Sequence, residues 1–126
     1  MNYDELISAG WIELTDGEHV ITEGRYFTRG SSAPMINLSD GEVSICDSSA
    51  PVINLNGGFV ITYDRSAAVI TMTDGVVRTY DDSAPVIDQN GGEVSTQNRS
   101  EPVITMTDGV VSTYDDSAPV LNKLEK

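Results

Sequence analysis

Carboxylates at fixed spacing are the residues of this chain whose types could do chemistry. Asp47, Asp64 and Asp81 stand seventeen residues apart, Asn98 takes the next place, and Asp115 the one after it. Asp82 and Asp116 stand beside that column, Asp74 and Asp108 share another place with Asp40, and Glu42 and Glu93 complete the set. Such groups could bind a cation, work as an acid and base pair, or present negative charge to a basic partner. The calcium-binding β-roll needs a nonapeptide GGxGxDxUx repeat. The nearest fragments here, Asn56-Gly57-Gly58 and Asn90-Gly91-Gly92, return only every thirty-four residues. No metal site is expected. A carboxylate pair for glycoside hydrolysis can be drawn from any two columns, so the spacing singles none out. The one histidine, His19, gives a histidine-based triad no support from a repeated position. There is no phosphate-cradling loop. No catalytic residue and no cofactor is expected, so the chain is not read as an enzyme. The remaining chemistry is presented charge, set against the ordinary duty of Asp and Asn at turns, where they accept amide hydrogen bonds.

Composition favours presented charge. Twenty acidic residues against seven basic ones leave a formal charge of −13 on 126 residues. The imbalance runs along the whole chain, so the surface should repel nucleic acid and anionic membranes and attract basic surfaces. The basic residues are too few for direct nucleic-acid binding. Hydrophobic residues make up 39% of the chain, in strict period, which argues against disorder. Cys46 is the only cysteine, so no internal disulfide can form, and the acidic start MNYDELISAG is unlike a signal peptide. Both fit a cytoplasmic protein. No apolar run is long enough to span a bilayer.

The elements that must position these acids are repeats. Ser66–Asp82, SAAVITMTDGVVRTYDD, returns as Ser100–Asp116, SEPVITMTDGVVSTYDD, and the half-period is marked by Pro34, Pro51, Pro85, Pro102 and Pro119, with Ala68 in the vacant place. Gly41, Gly58, Gly75, Gly92 and Gly109 each follow seven residues later. One domain is expected: a cap over 1–15 that includes a short helix at 2–9 with Asn2 as its cap, a degenerate first coil at 16–33, five coils over 34–118, and an end segment at 119–126. Each unit holds two strand-like runs. Ile36, Ile53, Ile70, Ile87, Ile104 and Leu121 form one inward column, and Leu38, Leu55, Met72 and Met106 a second, with Gln89 as a polar intruder. After the glycine, Val43, Val60, Val77, Val94 and Val111 form a third, followed by Ile45, Thr62, Thr79, Thr96 and Thr113. Asn37, Asn54, Thr71, Asp88 and Thr105, and likewise Ser44, Ile61, Arg78, Ser95 and Ser112, should face solvent.

Two architectures suit the pattern. An antiparallel meander would turn each Asn-Gly or Asp-Gly into a hairpin, but would leave the apolar columns on one uncovered face. A β-solenoid encloses them. The expected fold is therefore all-β, a β-solenoid of 17-residue coils with a short N-terminal helical cap. Tyr63, Tyr80 and Tyr114 should then stack as an outward ladder. Ser48, Arg65, Asp82, Arg99 and Asp116 form a column that neutralises itself. Thr71-x-Thr73 and Thr105-x-Thr107 imitate ice-binding rows, but Asn37/Ser39, Asn54/Asn56 and Asp88/Asn90 break the pattern.

Coils about 4.8 Å apart would spread the net charge over roughly 35 Å, one charge per roughly 2.7 Å, against about 1.7 Å in duplex DNA. The repeated VITMTDGVV and TYDDSAP segments, covering residues 32–121, together with this acidity resemble the small acidic β-helical anti-CRISPR proteins of phages and mobile elements, type I-C inhibitors in particular. The resemblance implies a DNA mimic that acts as a monomer in the bacterial cytoplasm and fills the basic DNA-binding groove of a CRISPR surveillance complex. Its contacts would come from Asp47, Asp64, Asp74, Asp81, Asp82, Asp108, Asp115, Asp116, Glu42 and Glu93. The alternatives are an acidic inhibitor of another DNA-binding enzyme and a structural or adhesive solenoid whose acidity serves solubility. Pentapeptide-repeat DNA mimics are a more distant analogy, because their five-residue period is absent.

Overall fold

Parallel pairing at an offset of one repeat dictates the architecture of this computed structural model, which describes residues 3–114 and 117–123. The expected cap Asn2, the acids Asp115 and Asp116, and residues 124–126 lie outside the described residues. A short helix, α1 (Tyr3–Ser8), is followed by twelve strands: β1 (Ile12–Glu13), β2 (Glu18–Ile21), β3 (Arg25–Thr28), β4 (Met35–Leu38), β5 (Glu42–Ile45), β6 (Val52–Leu55), β7 (Phe59–Thr62), β8 (Val69–Met72), β9 (Val76–Thr79), β10 (Val86–Thr96), β11 (Val103–Thr113) and β12 (Val120–Lys123). The chain is a β-solenoid. β2, β4, β6, β8, the first halves of β10 and β11, and β12 stack in parallel as a first sheet; β1, β3, β5, β7, β9 and the second halves of β10 and β11 form the second. Val52 to Leu55 pair in order with Val69 to Met72, and Phe59 to Thr62 with Val76 to Thr79. No hairpin pairing of the meander kind occurs among the described strands.

The core lies between the sheets. Ile36, Ile53, Ile70, Ile87 and Ile104 are buried, as are Leu38, Leu55, Met72 and Met106 and the valines from Val43 to Val94. These side chains alternate with outward ones at the strand period of two, so a four-residue strand gives the core two of them. Two expectations are corrected. Leu121 is 47% exposed, Thr113 is exposed and Val111 only partly buried, because no further coil among the described residues lies over them. Ser44 and Ser95 are buried although they point outward; each is a small side chain overshadowed by larger neighbours in register, Phe27 and Ile61 beside Ser44 and Arg78 beside Ser95. Within the expected cap at 1–15, β1 adds to the edge of β3 and Leu14 joins the core, while α1 leaves Ile7 49% exposed.

The buried threonines have partners that the spacing conceals. Thr28, Thr62, Thr79 and Thr96 each share a hydrogen bond with the serine twenty-one residues on, Ser49, Ser83, Ser100 and Ser117, at 2.8–2.9 Å. Ile45 breaks this series, and the hydroxyl of Ser66, which stands where its partner would be, has no hydrogen bond. Gln89 is fully buried with half of its amide paired: Nε2 donates to the carbonyls of Gly92 and Val110, both at 3.1 Å, tying one turn to the next coil, while Oε1 has no hydrogen-bond partner. The glycine column is equally constrained. At Gly75 φ is +93°, and a Cβ there would lie 2.9 Å from the carbonyl oxygen of Gly58 in the coil before.

Candidate functional site

The acids are positioned by the corners that join the second sheet back to the first. After Cys46, Tyr63 and Tyr80 the chain turns tightly, with the amides of Ser49, Ser66 and Ser83 donating to the carbonyls of those three residues at 3.2–3.3 Å. The residue that begins each turn is left-handed: Asp47, Asp64 and Asp81 have φ of 57–58° and Asn98 48°. Asp and Asn tolerate this conformation better than other residues with a Cβ, which accounts for their recurrence there. Their side chains also join coils. Asp47 Oδ2 accepts from the amide of Gly30 at 2.9 Å, and Asp64 Oδ2 from the amide of Asp47 at 3.2 Å. Backbone bonds thus hold the Asp47 and Asp64 carboxylates, one per coil, and Asp81 repeats their left-handed backbone in the next coil.

Asp47, Asp64, Asp81 and Asp82 line an open groove with Ser48, Arg65 and Arg99. Arg99 Nε lies 3.7 Å from Asp82 Oδ1 one coil below, with both side chains exposed. The alternation of signs read from sequence is thus seen at this pair, and the two arginines offset part of the groove's charge. Asp47, Asp64 and Asp81 form the anionic edge.

The other expected site residues lie elsewhere. Asp40 and Asp74 sit at the turns between the first sheet and the second, and Asp108 at the equivalent place inside β11, each accepting the following glycine amide through Oδ1 at 2.8 Å. Glu42 starts β5 with Oε2 3.7 Å from Arg25 Nε, and Glu93 is exposed on β10. Seven residues of extended chain separate the turn row from the corner row, on the order of 20 Å. The ten expected residues therefore do not form one pocket: the eight described ones fall into two acidic rows along opposite edges of the second sheet, and Asp115 and Asp116 are not described.

Between core and corner lies a column that starts at Cys46 and continues through Tyr63, Tyr80, Gln97 and Tyr114. Tyr63 and Tyr80 stack with centroids 5.5 Å apart and planes at 15°. The expected ladder is thus one pair of rings, because Gln97 stands between Tyr80 and the 53% exposed Tyr114. Burial, with Asp64 and Asp47 nearby, pushes the Cys46 thiol up to about 12. Burial and then the neighbouring Tyr80 raise the Tyr63 phenol. His19 Nε2 lies 2.8 Å from the Thr15 carbonyl oxygen. Among the described residues no cluster of three or more His, Cys, Asp or Glu side chains could hold a metal ion, and no helix is long and apolar enough to cross a membrane. Sequence reasoning had noted the arginine column but not that Ser48, Arg65 and Arg99 share a groove with the corner acids; the seventeen-residue offset between Asp82 and Arg99 was the available signal.

No protein-family model, curated protein or solved structure matches the chain.

Proposed function

We propose that this protein is an inhibitor that imitates DNA, with the DNA-binding groove of a type I CRISPR surveillance complex as its target. The observation that carries the proposal is the pair of acidic rows on the edges of the second sheet. Asp47, Asp64 and Asp81 repeat once per coil, the first two held by backbone bonds, and Asp40, Asp74 and Asp108 repeat on alternate turns. Charges ordered before binding lose little entropy on contact with a row of Lys and Arg, as duplex phosphates do. Together with the net charge of −13, this favours capture of a basic groove over catalysis, since the described acids converge on no common reacting centre.

The test is competition on a purified surveillance complex. Binding should be displaced by target DNA and should weaken at least about tenfold on moving from low to physiological salt, as contacts to several cationic groups require. Asp81→Asn with Asp82→Ser should weaken it further while the coil stays folded, because Asn accepts the left-handed corner. Binding that DNA cannot compete away, or that persists in high salt, would overturn the mimic. Recovery of no DNA-binding protein from a bacterial lysate would favour the structural or adhesive alternative.

A further inference from the structure

From β4 to β11 the outer face of the first sheet lacks the charge found elsewhere; Glu18 of β2, exposed in the same column beside Met35, marks its N-terminal end. Met35, Val52, Val69, Val86 and Val103 point outward in register and are 38–49% exposed. Beside them run two polar columns, one from Asn37 to Thr105 and one from Ser39 to Thr107. Across these fifteen positions, in a chain of net charge −13, the only ionisable residue is Asp88. The polar side chains are already ordered along the axis: Asn54 Nδ2 donates to Asn37 Oδ1 at 2.9 Å, Thr73 Oγ1 to Asn56 Oδ1 at 2.8 Å, and Thr107 Oγ1 to Asn90 Oδ1 at 2.7 Å. A basic partner would be drawn to the acidic rows and not to this face.

We infer that this face is a self-association surface, onto which a second copy of the chain packs with its coil order reversed. The commitment to a second copy follows from how the columns match under a two-fold axis lying along the strand of Val69 and Thr71. Each column then meets itself, with Val69 on Val69, Val86 on Val52 and Val103 on Met35. Asp88 of one copy lies opposite Asn54 of the other, whose amide can donate to it. The other two-fold arrangement, with coils in register and strands antiparallel, sets the valines against the Ser/Asn/Thr column and buries Asp88 against its own copy, an uncompensated like-charge contact. Isologous contact of the first kind needs no new surface.

The contact is small. Five coils at about 4.8 Å and about five residues at about 3.3 Å cover roughly 400 Å² per copy, at the low end for specific association, so dimerisation in the range of tens of micromolar, roughly, is expected. Asp40, Asp74 and Asp108 border the face, and across the axis this row meets its own copy at the rim. Screening that repulsion should tighten the dimer as salt rises, the opposite of binding to a basic groove. The inference stands apart from the DNA-mimic proposal, and the opposite salt signs distinguish their failures.

The experiment is sedimentation equilibrium from micromolar to near-millimolar protein, at low and high salt, on the intact chain and on Val69→Lys. A dimer that strengthens with salt is expected, and Val69→Lys, at an exposed strand position with circular dichroism unchanged, should weaken it on the order of a hundredfold. A short bismaleimide fixes the orientation. Facing sheets lie about 10 Å apart, so Thr71→Cys should cross-link across the axis, whereas Thr105→Cys, about 20 Å from its mate, should not. The buried Cys46 thiol stays silent. A chain that is monomeric throughout, a dimer that survives Val69→Lys, or Thr105→Cys cross-linking as readily as Thr71→Cys would each overturn the inference.

Discussion

Single residues carry two tests of the interior. Ser66 has lost its hydrogen-bond partner because Ile45 stands where the other coils place threonine, while Ser83 bonds Thr62 at 2.9 Å. Ser66→Ala removes a buried hydroxyl that pairs with nothing and should leave stability unchanged or raise it. Ser83→Ala orphans the Thr62 hydroxyl and should cost about 1–2 kcal/mol. Urea midpoints of the two variants, compared with the parent, check the contrast; an equal loss in both would mean that Ser66 is satisfied. Cys46 gives the second test. Its thiol is pushed up to about 12 from an ordinary value of 9.0, chiefly by burial, so the folded state holds that proton more tightly than the unfolded chain. The resulting stability is complete below pH 9 and is lost as pH rises from there toward about 12, because the unfolded thiol ionises first. Native protein at pH 8 should therefore resist iodoacetamide until it is unfolded. Cys46→Ala should lose less stability than the parent between pH 8 and pH 10. The raised Tyr63 phenol acts in the same direction, so some alkaline decline should remain in that variant.

Among elements, the strands were more legible than the corners. Period-two columns such as Ile36 to Ile104 announce an enclosed core, and the need to cover them distinguishes a parallel coil from a hairpin array. Val77 is fully buried between Val60 and Val94 in register, so Val77→Asp should cost about 4 kcal/mol or more by placing an unpaired charge there. Thermal unfolding is the check, and an unchanged midpoint would place Val77 outside the core. The Thr-to-Ser pairs were missed because they join residues twenty-one apart, across the corner and one coil on, an offset that no single-column reading samples. Gln89 looked like a defect for a related reason: its bonds run to carbonyls at Gly92 and Val110, which leave no trace in residue type. The corner acids were legible as a column, but their cause was not. Type alone cannot separate a carboxylate selected for presentation from one selected because its backbone must be left-handed, and Asp47, Asp64 and Asp81 meet the second condition whether or not they meet the first. The two-row arrangement of the site needed the fold, since it depends on which turn lies at which edge.

For the whole molecule, the stacking that orders the acids also sets them against one another. Unit charges one coil apart, at about 4.8 Å, repel by about 0.9 kcal/mol in a water-like dielectric, and Asp47, Asp64 and Asp81 form two such neighbouring pairs. Among the described residues only three ion pairs soften the field, Arg25 with Glu42, Arg29 with Glu13, and Arg99 with Asp82, and all are partly or largely exposed. Exposed pairs contribute little, so the fold carries its charge as a standing cost that the buried columns and inter-coil hydrogen bonds offset. That cost is electrostatic and open to solvent, so added salt should reduce it. The melting temperature should rise from low to roughly 0.5 M sodium chloride, where the Debye length falls well below the length of the rod. Dilute protein excludes a contribution from the proposed dimer, and Asp64→Asn, which keeps the left-handed corner while removing the middle charge of the column, should melt higher than the parent at low salt and converge with it at high salt. A melting temperature that falls with salt, or an Asp64→Asn variant less stable than the parent at low salt, would mean that the Asp64 carboxylate contributes more as an acceptor for the Asp47 amide than it costs as a neighbour of Asp47 and Asp81.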